Sequence, residues 1–298
     1  MGTDVTLIKL GGSLITRKDE PDTPRPTVIA RLARQLARAQ RDGLHLVVGH
    51  GSGSFGHPVA RRAGLVGIPL AVGPRTAQPV TARHAGGGSS TVSTVAEARR
   101  ARPGLAAPDA IARVQRRAAD LHRMVLDALV AAGAAPFSVP PSAVAVAQDG
   151  RLAHFHAGTV RTALDNGLMP VVYGDVVLDA VGGAAICSTE SALGAVADAL
   201  CAAGWHVRRC LWLGATPGVL MPDGAVLERV SLAEASLLQQ AAGAAATTDV
   251  TGGMRHRVNA ALALAHAGIP SWIGDGAAPD VLEQLLAGTT VPGTLVVP

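Results

Sequence analysis

The sequence predicts an α/β protein built on a mainly parallel sheet, and three observations carry that expectation. Strand-length apolar runs at residues 5–10, 44–48 and 169–173 each lead into a glycine turn. A helical apolar pattern at 27–41 separates the first two runs, giving strand, helix, strand, the unit of parallel sheets. The composition agrees: 48% of residues are hydrophobic, yet only three Trp, three Phe and one Tyr occur. Such a core must be made of Ala, Val, Leu and Ile, which suits a sheet covered on both faces by helices.

Each element has its own signal. Residues 27–41 place Val28, Ile29, Leu32 and Leu36 at helical spacing with arginines between them. The run 44–48 enters a turn from Gly49 to His57, and a further helix is expected from His57 onward. Periodicity is lost over 64–107, which holds Gly86-Gly87-Gly88-Ser89-Ser90, several prolines, and Arg75, Arg83, Arg99, Arg100 and Arg102. Structureless stretches of that length are uncommon unless they serve a function or are disordered, so this one is expected to be a long mobile loop or lid. A long helix follows over 108–132, closed by Gly133, and then short strands at 137–139 and 143–147. Asp149-Gly150 forms a hairpin turn into 151–154. After a helix at 158–166 and the strand 169–173, residues 176–179 pair with 184–187 across Gly182-Gly183. Helices are expected at 190–203, 232–242 and 253–267, and strands at 206–213, 271–273 and 294–297. One domain over 1–298 accommodates the whole series.

Charge and cysteine content narrow the function. The net charge is +4 with no run of roughly five basic residues, so a nucleic-acid groove is not expected, and the scattered aromatics form no stacking platform. No apolar run reaches about 18 residues, so no membrane span is expected. Cys187, Cys201 and Cys210 show no CxxC spacing, which predicts reduced thiols and a cytoplasmic protein. His154 and His156 stand two apart without a third ligand nearby, and no metal site is assigned to them. The cations carry a sharper signal. Of 26 basic residues 24 are arginine, and the two lysines, Lys9 and Lys18, flank Gly11-Gly12. A lysine is a compact charge on a flexible stem that can follow a moving phosphoryl group, whereas arginine is a rigid fork.

Glycine turns at the carboxyl ends of parallel strands are where backbone N–H groups approach an anion. Residues 51–56, Gly-Ser-Gly-Ser-Phe-Gly, satisfy GxGxxG, but a dinucleotide site needs an acid about 20 residues on, and none occurs between Asp42 and Glu97. No GxxxxGK[ST] is present either. Four blocks, in order, resemble the amino acid kinase superfamily: residues 8–16 with Lys18, residues 51–58, residues 170–179 and residues 249–254. Within it the chain is most similar to isopentenyl phosphate kinases, and next to kinases that phosphorylate the antibiotic fosfomycin. His57, in the second block, is the most specific mark.

The resemblance implies a three-layer αβα sandwich around a mainly parallel open sheet. It implies an ATP- and Mg²⁺-dependent phosphotransferase with a small phosphate or phosphonate monoester as acceptor, and a homodimer. Its amino-terminal half would bind the acceptor and residues 180–298 the nucleotide. Lys9, Lys18, His57 and Asp175 would be catalytic, with Asp175 orienting a lysine or the metal-bound phosphates. Lys9, Gly11, Gly12, Ser13, Gly214, Gly218, Gly253 and Arg257 would bind ATP. Gly51, Ser52, Gly53, Gly56, His57, Tyr173 and Gly174 would bind the acceptor. Isopentenyl phosphate is the first expected substrate and a phosphonate antibiotic or another specialised metabolite the second. A catalytically weak nucleotide sensor is the alternative of another class.

Several positions depart from the family pattern. Ser52 replaces a usual glycine, Ser188-Thr189-Glu190 stands for Ser-Gly-Asp, and Arg257 stands for a phosphate-binding lysine. The 214–218 loop reads Gly-Ala-Thr-Pro-Gly where the family has Thr-Asp-Val-Asp-Gly, so two acids are absent. These exchanges bear on the substrate more than on kinase chemistry.

Overall fold

A computed structural model describes residues 3–65, 67–68, 106–244 and 253–298. Most of the stretch expected as a lid, and residues 249–252 of the fourth motif, therefore lie outside the described residues. In chain order the elements are β1 (Asp4–Leu10), α1 (Gly12–Ile15), α2 (Pro26–Arg41), β2 (His45–His50), α3 (Gly53–Arg62), α4 (Pro108–Ala131) and β3 (Pro136–Ser138). Next come α5 (Pro141–Val144), β4 (Ala145–Gln148), β5 (Arg151–Phe155), α6 (Gly158–Asp165), β6 (Met169–Tyr173), β7 (Asp175–Asp179), β8 (Gly183–Cys187) and α7 (Thr189–Ala202). The chain ends with β9 (His206–Gly214), β10 (Arg229–Ser231), α8 (Ala235–Ala244), α9 (Gly253–His266), β11 (Ser271–Asp275), α10 (Val281–Leu286) and β12 (Thr294–Val297).

Eight strands form the main sheet in the order β10-β12-β11-β9-β1-β2-β6-β3. Every neighbouring pair is parallel except β11 with β12. The alternation of side chains along each strand splits the core into two layers. Val5, Leu7, Val47, Val172 and Trp212 pack under α7 and α9. Ile8, Leu10, Val48, Val171 and Leu211 pack on the other side, against α2 and α4. Helices thus cover both faces, and the three-layer sandwich follows from near-continuous burial of β1, β2 and β6.

The strands do not all join one sheet. β5, β4, β7 and β8 form a separate four-stranded sheet, with β4–β5 and β7–β8 antiparallel as their turns predict. The expected strand over 143–147 begins later, because Pro141 opens the short α5 instead and β4 starts at Ala145. α3 begins at Gly53, four residues before the expected start, so the glycine turn is itself the first helical turn. α1, β10 and α10 were not expected; at four, three and six residues they are too short to show a period.

Candidate active site

The carboxyl ends of β1, β2, β6 and β9 lie side by side, with Lys9 opposite Gly49 and Trp212, and His50 opposite Leu10 and Tyr173. The turns that follow these strands converge. Gly11 N–H bonds to Leu213 O at 2.8 Å, Gly51 N–H to Leu10 O at 3.0 Å, and Gly174 N–H to His50 O at 3.0 Å. The first two turns touch backbone to backbone. A Cβ added at Gly12 would lie 2.6 Å from Gly53 N and 2.7 Å from its Cα. Gly53 has φ +50°, in the left-handed region where a side chain is strained. The glycines expected for close anion approach are thus also what lets the two turns meet. α1 and α3 begin at this junction, so Gly12, Ser13 and Gly53 present first-turn N–H groups and positive helix ends to one place.

Lys9 reaches the junction for a simple reason. It continues the row Val5, Leu7 on the α7 and α9 face of β1, so the alternation that buries those residues carries it to the first turns of both helices. There it forms a buried ion pair with Glu190, at the start of α7. Burial pulls Lys9 below the usual lysine pKa, and the nearby Arg257 charge adds to this, while Glu190 opposes it. Burial alone would raise the Glu190 carboxyl, but Lys9 holds it below the carboxylate range. Arg257, in α9, is buried and packs its guanidinium against Gly214 at the end of β9. Lys9, Gly11, Gly12, Ser13, Gly214 and Arg257 thus lie together at the ends of β1 and β9. Gly253 opens α9, one turn before Arg257. Gly218 sits farther along, packed on Thr294 at the start of β12. Lys18 is exposed in the loop after Thr16.

His57 lies in α3, one turn beyond Gly53, and solvent reaches it. The protein around the ring, then Lys9, push its pKa below the ordinary imidazole value, with Arg61 and His256 adding to the shift and Glu190 opposing it. His57, Lys9, Glu190 and His256 thus form one electrostatic cluster across four elements, α3, β1, α7 and α9. Glu190 entered the sequence reading only as a departure, and His256 not at all; its position beside Arg257, one turn after Gly253, was the available signal.

Asp175 requires a correction. The acid paired with Lys9 is Glu190, whereas Asp175 is buried with its carboxylate on Ser142 N at 3.1 Å and Val176 N at 2.8 Å. It also bonds the Tyr173 hydroxyl, and burial raises its pKa. β7 joins the second sheet directly after Gly174, and Asp175 bonds to Ser142 at the start of α5. Tyr173, expected to meet the acceptor, is buried too. Its ring stacks on His122 at 4.1 Å between centroids and on His50 at 5.6 Å. Gly174 does border the second glycine turn: a Cβ there would lie 3.7 Å from Ser52 N. Gly56 packs against the Ser52 side chain.

The two stacked histidines form a directed chain beneath that turn. His50 Nδ1 donates to Gly51 O at 3.2 Å, so its Nε2 accepts from His122 Nδ1 at 2.9 Å, and His122 Nε2 accepts from Ser138 Oγ at 2.8 Å. Both rings are neutral: burial lowers His50 to about 4 and His122 to about 3. Unfolded histidines titrate near about 6.5, so the unfolded state binds more protons below that pH. The stability these rings contribute is complete above about pH 6.5 and is lost as pH falls toward 4, by up to about 1.4 kcal/mol per pH unit for each ring. The denaturation midpoint should drop between about pH 7.5 and 5.5, and less steeply in His122→Gln. An equal drop in that variant would remove His122 from the acid response.

Among the described residues no group of three or more His, Cys, Asp or Glu could hold a metal ion, and no helix is long and apolar enough to cross a membrane. The sequence profile of the amino acid kinase family matches residues 4–275. The isopentenyl phosphate kinase of Methanothermobacter thermautotrophicus is 31% identical over 301 residues, 97% of this chain and 98% of that one. That of Haloferax volcanii is 34% identical over 98% of each chain. A crystal structure described as isopentenyl phosphate kinase superposes with a TM-score of 0.69 at 26% identity, covering 98% of this chain and 99% of the other. With a parallel sheet, paired glycine turns and a buried lysine at their junction, matched over nearly its whole length, the chain belongs to the amino acid kinase family.

Proposed function

We propose that this protein is an ATP-dependent kinase that converts isopentenyl phosphate to isopentenyl diphosphate. The observation that carries the reading is the backbone contact between Gly12 and Gly53, which brings the two glycine turns directly together at the strand ends. Full-length similarity to two isopentenyl phosphate kinases names the acceptor. An oxygen of the acceptor phosphate attacks the γ-phosphorus of ATP, a new P–O bond forms, the bond to the β,γ-bridging oxygen breaks, and ADP leaves. A phosphate monoester has its second pKa near about 6, so the attacking oxygen is already ionised and no strong base is needed. The protein's work is alignment and charge neutralisation.

In this reading Lys9, Gly11, Gly12, Ser13 and Lys18 hold the β- and γ-phosphates, with Glu190 aiming Lys9. Gly214, Gly218, Gly253 and Arg257 serve the nucleotide. Gly51, Ser52, Gly53 and His57 hold the acceptor phosphate, with Gly56 and Gly174 shaping the turn, and Asp175 and Tyr173 support it from below. The described residues build no carboxylate cage, so Mg²⁺ would arrive on the phosphate oxygens of ATP, where it neutralises transferring charge. We place the enzyme in the cytoplasm as a homodimer, with the edge strand β3 and its exposed Phe137 at the subunit contact.

Steady-state ADP release with isopentenyl phosphate, fosfomycin and other monoesters tests the reading, and turnover should be greatest with isopentenyl phosphate. ATP binding without turnover on any of them would favour a sensor. In His57→Ala the acceptor KM should rise about tenfold or more and kcat should fall, with the ATP KM nearly unchanged. A rise in the ATP KM instead would reverse the assignment of the two turns.

A further inference from the structure

The two phosphate turns are joined by one side chain that has no part in the chemistry above. Thr16, the C-cap of α1, is fully buried. Its hydroxyl donates to Gly12 O at 2.8 Å and accepts from Ser54 N at 3.1 Å. The first bond ends on the ATP-side turn and the second on the opening turn of α3, behind the acceptor-side glycines. The same hydroxyl occupies the place a Cβ of Gly53 would take. Ser54 extends the connection: its Oγ accepts from Thr23 N at 3.3 Å and its carbonyl from Asp22 N at 3.4 Å. The loop that carries Lys18 is thereby tied to the same point.

We infer that Thr16 is a positioning residue for phosphoryl transfer, its hydroxyl fixing the separation and mutual orientation of the two phosphate turns without touching either substrate. The inference rests on the kinase reading above. In-line transfer requires the attacking oxygen and the phosphorus at about 3–3.5 Å, and a misplacement of about 1 Å can cost about a hundredfold in rate. One hydroxyl that donates to one turn and accepts from the other sets that distance directly. Each turn otherwise keeps its own strand and helix, so losing the clamp should spare the separate binding of ATP and of acceptor while slowing transfer. A hydroxyl that only capped α1 would affect stability and leave the rate per folded molecule alone.

Thr16→Val keeps the shape and removes both hydrogen bonds; Thr16→Ser keeps them. Calorimetry with the non-hydrolysable analogue AMP-PNP and, separately, with isopentenyl phosphate gives the two affinities, and single-turnover transfer gives the rate per folded molecule. In Thr16→Val both affinities should stay within about threefold of wild type while transfer slows about a hundredfold; Thr16→Ser should transfer within about threefold of wild type. Transfer by Thr16→Val within about threefold of wild type would overturn the inference. So would a loss of affinity that accounts for the whole effect, or an equal loss in Thr16→Ser. If Thr16→Val does not fold, Thr16→Ala, which leaves room for a water between Ser54 N and Gly12 O, is read against the same limits. Wild-type enzyme that fails on isopentenyl phosphate would refute the substrate and not the clamp. The clamp is then read from AMP-PNP affinity with and without inorganic phosphate: wild type should show coupling and Thr16→Val none, and equal coupling in both would overturn it.

Discussion

Lys9→Ala is expected to lose turnover by about a hundred- to a thousandfold, the effect of removing one well-placed charge worth about 3–4 kcal/mol in the transition state. It is also expected to unfold more easily than the wild type. Lys9 and Glu190 are both buried, and deleting the lysine strands the carboxylate in the interior, a change that typically costs about 3–5 kcal/mol. The pair Lys9→Met with Glu190→Gln separates the two effects, because it removes both charges at similar volume. Its denaturant midpoint should return most of the way to wild type while ADP release stays at the level of the single mutant. Activity in the double variant would remove Lys9 from the mechanism. A stable, inactive Lys9→Ala would show that Glu190 finds another partner or a proton.

The second large effect belongs to Gly12. Any side chain there starts 2.6 Å from the backbone nitrogen of Gly53, and neither neighbour is the tip of a flexible side chain that could swing aside. The turns must separate by several tenths of an ångström, which lengthens the path of the transferred group and strains the Thr16 clamp. Gly12→Ala should therefore lower kcat by about a hundredfold or more and cost about 1–3 kcal/mol of stability. Measured turnover within about threefold of wild type would show that the backbone contact is not a catalytic constraint.

Much of the site could be read along the chain because its parts are local. The glycine turns follow apolar runs, both lysines flank the first turn, and His57 follows the second within one helical turn. The parts that could not be read are pairings across distance. Glu190 meets Lys9 across 181 residues, and nothing in residues 188–190 announces which cation that acid will find. Thr16 belongs to a recognised motif, yet its bond to Ser54 spans 38 positions and depends on how α1 and α3 abut. Asp175 sits in the expected turn but faces another way, because its strand enters the second sheet.

The sequence alone determined the elements with a full period and the places where the chain must turn. The continuous apolar run of β1 and the helical spacing in α2 state which side chains are buried, since burial of each face is a local demand on the pattern. It also determined that both lysines and the glycine turns would meet at the end of a parallel strand, since they share a place in the chain. Only the tertiary structure decided that the strands divide into two sheets, and that the short α1, β10 and α10 form at all, since packing and not propensity sustains elements of six residues or fewer. It alone decided which charges share the interior. A buried ion pair depends on distance and dielectric between groups that no sequence interval relates, so Glu190 could become the partner of Lys9 only once α7 was laid over β1.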